Sequence, residues 1–172
     1  MEYFVLVEVQ NSDDRTDSIR IEPAAQSDAE TLAAVSLRAF EHDVNYGAPG
    51  PGGPPGYDSA AWHQRAMRQG RFFKVTEAGR VIGGLVLFRL KDGTVEFGRA
   101  FIEPECQNRG IGGELLRFAE GVFPETKRLI LDTPAWNLRT QHFYETGGYV
   151  KIGEISTGEG FLLFQYEKLI EE

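Results

Sequence analysis

The stretch QNRGIGG, from Gln107 to Gly113, puts three glycines, an arginine and two side-chain amides directly before the helix-like run ELLRFAEGVF. Glycines at 110 and 112 let a backbone approach a ligand with no β-carbon in the way. The first turn of a helix points unpaired N–H groups and a positive dipole end at whatever sits there. The chemistry such a turn suits is anion binding, with Arg109 and Gln107 adding charge or hydrogen bonds to phosphate oxygens. Taken alone, the turn equally supports a plain strand-to-helix corner. Two phosphate motifs are excluded as they stand. No Walker lysine followed by Ser or Thr is present, and Gly110-x-Gly112-Gly113 is not the dinucleotide G-x-G-x-x-G, so neither ATP nor NAD is expected.

The elements that must position this turn follow from periodicity and punctuation. Thr94 to Ile102 reads as a strand that stops before Glu103-Pro104, because proline cannot donate to a ladder. After the turn, Ile111, Leu115, Phe118, Ala119 and Val122 recur at helical spacing until Pro124, and Lys127 to Leu131 is a short buried strand. A strand-helix-strand crossover of this kind predicts a parallel pair. Upstream, Arg71 to Glu77, Arg80 to Leu90 and Thr94 to Ile102 are separated by Ala78-Gly79 and Lys91-Asp92-Gly93, hairpin-type turns that predict an antiparallel meander. Gly83 and Gly84 mark a bulge or a close approach within it.

A strand from Ser18 to Glu22, a helix over AETLAAVSLRAF capped by Ser27 or Asp28, and a helix from Ser59 to Gln69 precede the meander. A helix from Leu138 to Thr146 and strands from Tyr149 to Ile155 and Phe161 to Leu169 close the chain. The expected fold class is α/β of the mixed α+β kind: a mostly antiparallel sheet with a central parallel strand pair and helices on both faces.

With 172 residues, 41% hydrophobic and 26% charged, the chain suits one globular domain with a sizeable core. Tyr3 to Val9 reads as a strand and NSDDRTDS as a linker. Residues 1–17 are therefore an appended strand or arm on a domain of residues 18–172, able to add an edge strand or join a partner subunit in a homodimer. The loop from Tyr46 to Asp58 is nearly all glycine and proline, and is read as either a substrate-side loop or a mobile linker. A net charge of −8 argues against a nucleic-acid surface and suits a cationic partner. No basic leader and no apolar run of about 18 residues occurs, so no membrane attachment is expected. The single cysteine, Cys106, excludes an internal disulfide and fits a cytoplasmic setting. His42, His63 and His142 lack metal spacing, so no metal is expected.

The run FGRAFIEPECQNRGIGGELLRFAE resembles the acetyl-coenzyme A signature of the GNAT family of N-acetyltransferases, a strand ending near a proline followed by Q/R-x-x-G-x-G/A and a helix. Gln107, Gly110 and Gly112 fill that pattern. AWNLRTQHFYETGGYVKIGE is similar to the family's second landmark, with Asn137 seven residues before Tyr144 and then Gly148-Tyr149. The order of elements from Ser18 onward also matches.

The resemblance implies an N-acetyltransferase that moves acetyl from acetyl-coenzyme A to a small-molecule or peptide amine by direct attack in a ternary complex. It implies that the strand Thr94 to Ile102 splays from the next parallel strand, and that pantetheine hydrogen-bonds to Ala100, Phe101 and Ile102 in the gap. The pyrophosphate would rest on the amides of Asn108, Arg109, Gly110, Ile111, Gly112 and Gly113, with Asn137 and Tyr144 also at the cofactor. Tyr144 would act as general acid toward the departing thiolate. Glu96 or Asp132 would act as general base, with Glu103 a third candidate. Direct transfer needs no thiol, so Cys106 is a bystander. Trp136 is a core aromatic or lines the acceptor pocket. A coenzyme A-binding sensor or partner-binding module would keep the fold and drop the reaction.

Overall fold

The computed structural model describes Val5–Leu6 and residues 19–171. The NSDDRTDS linker and the rest of the expected Tyr3 to Val9 strand lie outside the described residues. In chain order the elements are β1 (Val5–Leu6), β2 (Ile19–Pro23), α1 (Ala29–Glu41), α2 (Ala60–Gln69), β3 (Arg71–Glu77), β4 (Arg80–Arg89) and β5 (Val95–Ile102). There follow α3 (Ile111–Val122), β6 (Arg128–Pro134), α4 (Leu138–Thr146), β7 (Val150–Ser156) and β8 (Leu162–Leu169). The eight strands form one sheet in the order β1-β2-β3-β4-β5-β6-β8-β7. Every neighbouring pair is antiparallel except β5 and β6, which run parallel.

Two apolar clusters hold the layers together, one on each face of the sheet. On one face α3 presents Ile111, Leu115 and Ala119, one stripe of an amphipathic helix, to Leu87, Val95, Phe97, Leu129 and Leu131. Phe143 and Tyr144 of α4 pack against the same cluster. On the other face Leu32, Val35 and Ala39 of α1 and Ala66 of α2 meet Phe72, Val86 and Phe101. Because strand side chains alternate, β5 serves both layers.

The parallel pair is brief. Its register contains only Val95 opposite Leu129 and Glu96 opposite Ile130. Beyond Glu96, β5 bulges: Leu87 faces Phe97 while Val86 faces Arg99, which leaves Gly98 as the extra residue. A β-carbon at Gly98 would run into the Phe88 ring. Meanwhile β6 stays laddered to β8 as far as Pro134 opposite Leu163. The two parallel strands therefore splay into a V whose crotch is at Glu96.

Three local expectations are refined. The strand read as Lys127 to Leu131 runs from Arg128 to Pro134, because β8 offers it a full antiparallel ladder, and Asp132 lies within it. Asp28 occupies the cap position of α1 but does not cap it; its Oδ2 accepts from the Ala25 amide at 2.8 Å and pairs with Lys74 at 3.1 Å. A bulge does sit beside Gly83, where Val75 faces Gly83 and Thr76 faces Val81, and Gly84 lies under the Phe101 ring.

Candidate active site

A cavity of about 340 Å³ lies along β5 beyond the crotch of the V, lined by Phe97, Ala100, Phe101 and Ile102 of that strand. On one side its wall is Leu115, Leu116, Phe143 and Tyr144, and on the other it is Ala39, Phe40 and Asp43 at the end of α1. Residues from both faces of the sheet line one space beside β5. The edge of β5 from Phe97 to Ile102 that turns toward β6 has no ladder partner there. An extended ligand seated in the V would find a strand edge to bond to.

At one end of the cavity stands the glycine turn. Asn108 has φ +61° and Gly110 has φ +82°, so two left-handed residues turn the backbone just before α3, the second at the helix cap. Only glycine takes the second without steric cost. No side chain caps α3, and its first intrahelical bond runs from the Glu114 amide to the Gly110 carbonyl at 3.3 Å. The helix leaves the amides of Ile111, Gly112 and Gly113 unpaired, facing an opening suited to an anion. Gly112 has a packing role too, since a β-carbon there would lie 3.1 Å from the Phe143 ring. These features fit a phosphate-bearing thioester held between the turn and the open strand edge.

Of the residues expected at the cofactor, Ala100, Phe101, Ile102, Gln107, Asn108, Gly110, Ile111, Gly112, Gly113 and Tyr144 line the cavity. Arg109 and Asn137 do not. The Arg109 guanidinium is forked onto Glu77, with Nη2 donating to Oε2 at 2.7 Å and Nη1 to Oε1 at 3.3 Å. Gln107 ties the corner instead: its Nε2 donates to the Ile102 carbonyl at 3.0 Å.

Asn137 is 2% exposed, and its Oδ1 accepts from the Thr140 amide at 3.1 Å as the cap of α4. Truncating it in Asn137→Ala is expected to lower stability by about 1 kcal/mol, the usual cost of a lost cap. Thermal unfolding with and without coenzyme A separates this from a ligand role, because a cap alone leaves the ligand-induced shift intact.

Two cavity residues, Asp43 and Arg139, carry no signal in the local sequence. Arg139 of α4 lies 3.7 Å over the Tyr46 ring, donates to Gln107 Oε1 at 2.7 Å and pairs with Asp43 at 3.4 Å. Burial raises the Asp43 carboxyl, against the lowering effect of the Arg139 charge. The chain Asp43–Arg139–Gln107 thus links the end of α1 to the glycine turn.

Tyr144 is flanked by Phe143 at 5.2 Å, Tyr149 at 5.9 Å and Tyr166 at 6.4 Å between ring centroids. Burial pushes its phenol up to about 12. Glu96 and Asp132 lie elsewhere: they alternate with Val95, Phe97 and Leu131 of the α3 cluster and so project from the opposite face, beside the crotch of the V. Burial raises both carboxyls; Asp132 raises Glu96 further by like charge, while a hydrogen bond with Gln165 opposes the rise at Asp132. Glu103, 5% exposed, is engaged by Arg38, whose Nε approaches it at 2.5 Å. Cys106 is buried and lines the cavity. Trp136 does not line it and packs edge-on to Phe161 at 6.4 Å. His63 is a structural residue, 0% exposed, with Nδ1 2.7 Å from the Ser59 carbonyl. Among the described residues no cluster of three or more His, Cys, Asp or Glu side chains could hold a metal, and no helix is long and apolar enough to cross a membrane.

A mixed sheet with a splayed parallel pair, and a glycine turn opening a helix beside the gap, is a fold shared with solved acetyltransferases. The profile of the Acetyltransferase (GNAT) family matches residues 36–149, and the chain belongs to that family. Among curated proteins no sequence matches significantly. Solved structures that share the fold include the ribosomal-protein-S18-alanine N-acetyltransferase of Escherichia coli, 15% identical with a TM-score of 0.71 over 90% of this chain and 95% of that one. A spermidine N-acetyltransferase SpeG chimera from Vibrio cholerae and hSSAT is 18% identical, with a TM-score of 0.68 over 88% of this chain and 95% of its own. The yncA protein of Salmonella typhimurium, a candidate acetyltransferase solved with its cofactor acetyl-CoA, is 15% identical, with a TM-score of 0.64 over 90% and 95%.

Proposed function

We propose that residues 18–172 form a cytoplasmic N-acetyltransferase that moves acetyl from acetyl-coenzyme A to a primary amine by direct attack in a ternary complex. The observation that carries this reading is the cavity itself, which brings the first turn of α3, the open edge of β5 and Tyr144 to one space. Bound there, acetyl-coenzyme A supplies an activated acetyl thioester. The amides of Asn108 to Gly113 hold its pyrophosphate, and Arg109 adds a charge when it can be shared with Glu77. Ala100, Phe101 and Ile102 offer backbone groups to the pantetheine arm, and an amide near Ile102 polarises the thioester carbonyl.

The amine enters from the α1 and α2 face, where Glu96 and Asp132 lie. One of these carboxylates, directly or through water, takes the proton that the amine loses as its nitrogen bonds to the acetyl carbon. As the carbon–sulfur bond breaks, Tyr144 donates a proton to the sulfur from the α3 and α4 face. Acid and base thus stand on opposite faces of one gap.

The test is thiol release from acetyl-coenzyme A against a panel of small-molecule and peptide amines. Acceptor-dependent release of thiol matched by acetylated product is the expected result. Tight coenzyme A binding with no turnover on any acceptor would instead favour a sensor or partner-binding module on the same fold.

A further inference from the structure

The guanidinium of Arg99 is a buried cation that neither the core nor the cofactor cradle accounts for. Arg99 is 8% exposed, on the α1 and α2 face of β5, one strand position beyond the bulge at Gly98. Its Cζ lies 3.8 Å from the centroid of the Trp62 ring and 5.9 Å from that of Phe40. Its Nη2 donates to the Pro55 carbonyl at 2.8 Å, but Nε and Nη1 are buried with no partner. No carboxylate among the described residues pairs with it, and desolvation alone pulls its pKa down to about 10. His63, close enough for the Arg99 charge to lower its own pKa further, is kept neutral by burial and offers no counter-charge.

Buried charges in folded proteins are paired, and a guanidinium with spare donors in apolar surroundings is a receptor for a planar anion. The position makes that anion part of the acceptor. Glu96, at the crotch of the V, and Arg99 project from the same face of the same strand. Phe40 is a wall shared by Arg99 and the cavity. The Gly/Pro loop covers the guanidinium: Pro55 is exposed while its carbonyl accepts from Arg99, and Gly56 sits so close to Trp62 that a β-carbon there would strike the indole. At Pro55 the loop lies between the guanidinium and solvent.

We propose that the acceptor amine carries a carboxylate, that Arg99 pairs with this carboxylate beneath the Gly/Pro loop, and that the pairing holds the amine against the thioester. The inference rests on the acetyltransferase reading above and runs against the cationic acceptor that the net charge alone suggests. It also accounts for the composition of the Gly47 to Gly56 segment, since glycine and proline leave few side chains to move aside when the carboxylate enters.

The test compares the twenty amino acids with their carboxamides and with the matching decarboxylated amines, in wild type, Arg99→Gln and Arg99→Lys. In wild type, kcat/KM for the best amino acid is expected to exceed that for its carboxamide by at least about tenfold, carried by KM. Arg99→Gln should abolish the preference while leaving coenzyme A binding intact. Arg99→Lys, which keeps the charge but loses the fork, should raise KM for the acids and leave the amides unchanged. Equal use of acids and amides, or a preference unaltered in Arg99→Gln, overturns the proposal and leaves Arg99 as an anchor for the loop. If Arg99→Gln does not fold, an unchanged KM in Arg99→Lys overturns it instead.

If no acceptor turns over at all, the acetyltransferase reading has failed, and binding decides this one separately. N-acetyl amino acids should then quench the fluorescence of Trp62 where their carboxamides do not, and the difference should vanish in the Arg99 variants. Equal binding of acids and amides would again overturn it.

Discussion

Tyr144→Phe is expected to lower kcat by about a hundredfold, within the range that a positioned acid contributes, with little change in KM for acetyl-coenzyme A. The substitution deletes one oxygen and leaves the ring packed against Phe143, Tyr149 and Tyr166, so the wall of the cavity survives. A pKa of about 12 is well above that of an ordinary thiol, roughly 8.5, which on these values alone makes the phenol a poor proton donor to a thiolate. What matters is the difference between the two inside the cavity. The same low-dielectric surroundings that raise the phenol also raise a thiolate formed beside it, and the hydrogen bond between them favours the charged sulfur as it forms. A phenol at about 12 is protonated throughout the usual assay range, so the acid is always loaded. Removing it should scale the pH–rate profile down without moving its limbs. A shifted limb, or a raised KM for acetyl-coenzyme A with unchanged kcat, would instead assign Tyr144 to packing or binding. The measurement is steady-state thiol release over a pH series, with coenzyme A affinity measured alongside.

How far this site was legible in the sequence varies from residue to residue. The element order followed from local punctuation: Pro104 and Gly110 bracket the turn, Pro124 ends α3, and Gly147-Gly148 ends α4. Asn108 to Gly113 form one local turn, so their backbone geometry was encoded where it is used. The side chains that leave the turn were not. Arg109 meets Glu77 across 32 residues, and Arg139 meets Asp43 across 96, contacts that exist only once the sheet has brought distant strands together. Local spacing also could not place the two carboxylates on the face opposite Tyr144. That depends on α4 packing onto the same face as α3, a tertiary contact that the alternation of the strands does not contain. The signal for Arg99 was present, an arginine within the buried strand VEFGRAFI, but its meaning depended on Trp62, Phe40 and Pro55, which sequence spacing does not connect to it.

The division of labour between Glu96 and Asp132 gives the second large effect, and it has a direction as well as a size. A carboxylate works as a base only when deprotonated, so a raised pKa moves the acid limb of the rate profile upward, and activity falls as pH drops through it. Burial raises both groups, but only Glu96 is raised further by its neighbour's charge. Glu96 also stands at the last laddered position of the V, where the gap opens. With Glu96 as the base, Glu96→Gln should lower kcat/KM by about a hundredfold or more and erase the limb that belongs to the protein. Asp132→Asn removes the like charge, lets the Glu96 carboxyl titrate at lower pH, and should shift that limb downward with kcat largely kept. The opposite pattern, in which Asp132→Asn erases the limb and Glu96→Gln merely shifts it, would exchange the roles. The acceptor's own ammonium also titrates, so each comparison uses one amine throughout, and only movement between variants is assigned to the protein. Asp132 is further tied to Gln165 through a hydrogen bond that favours its charged form, as befits the partner that sets the field while Glu96 takes the proton.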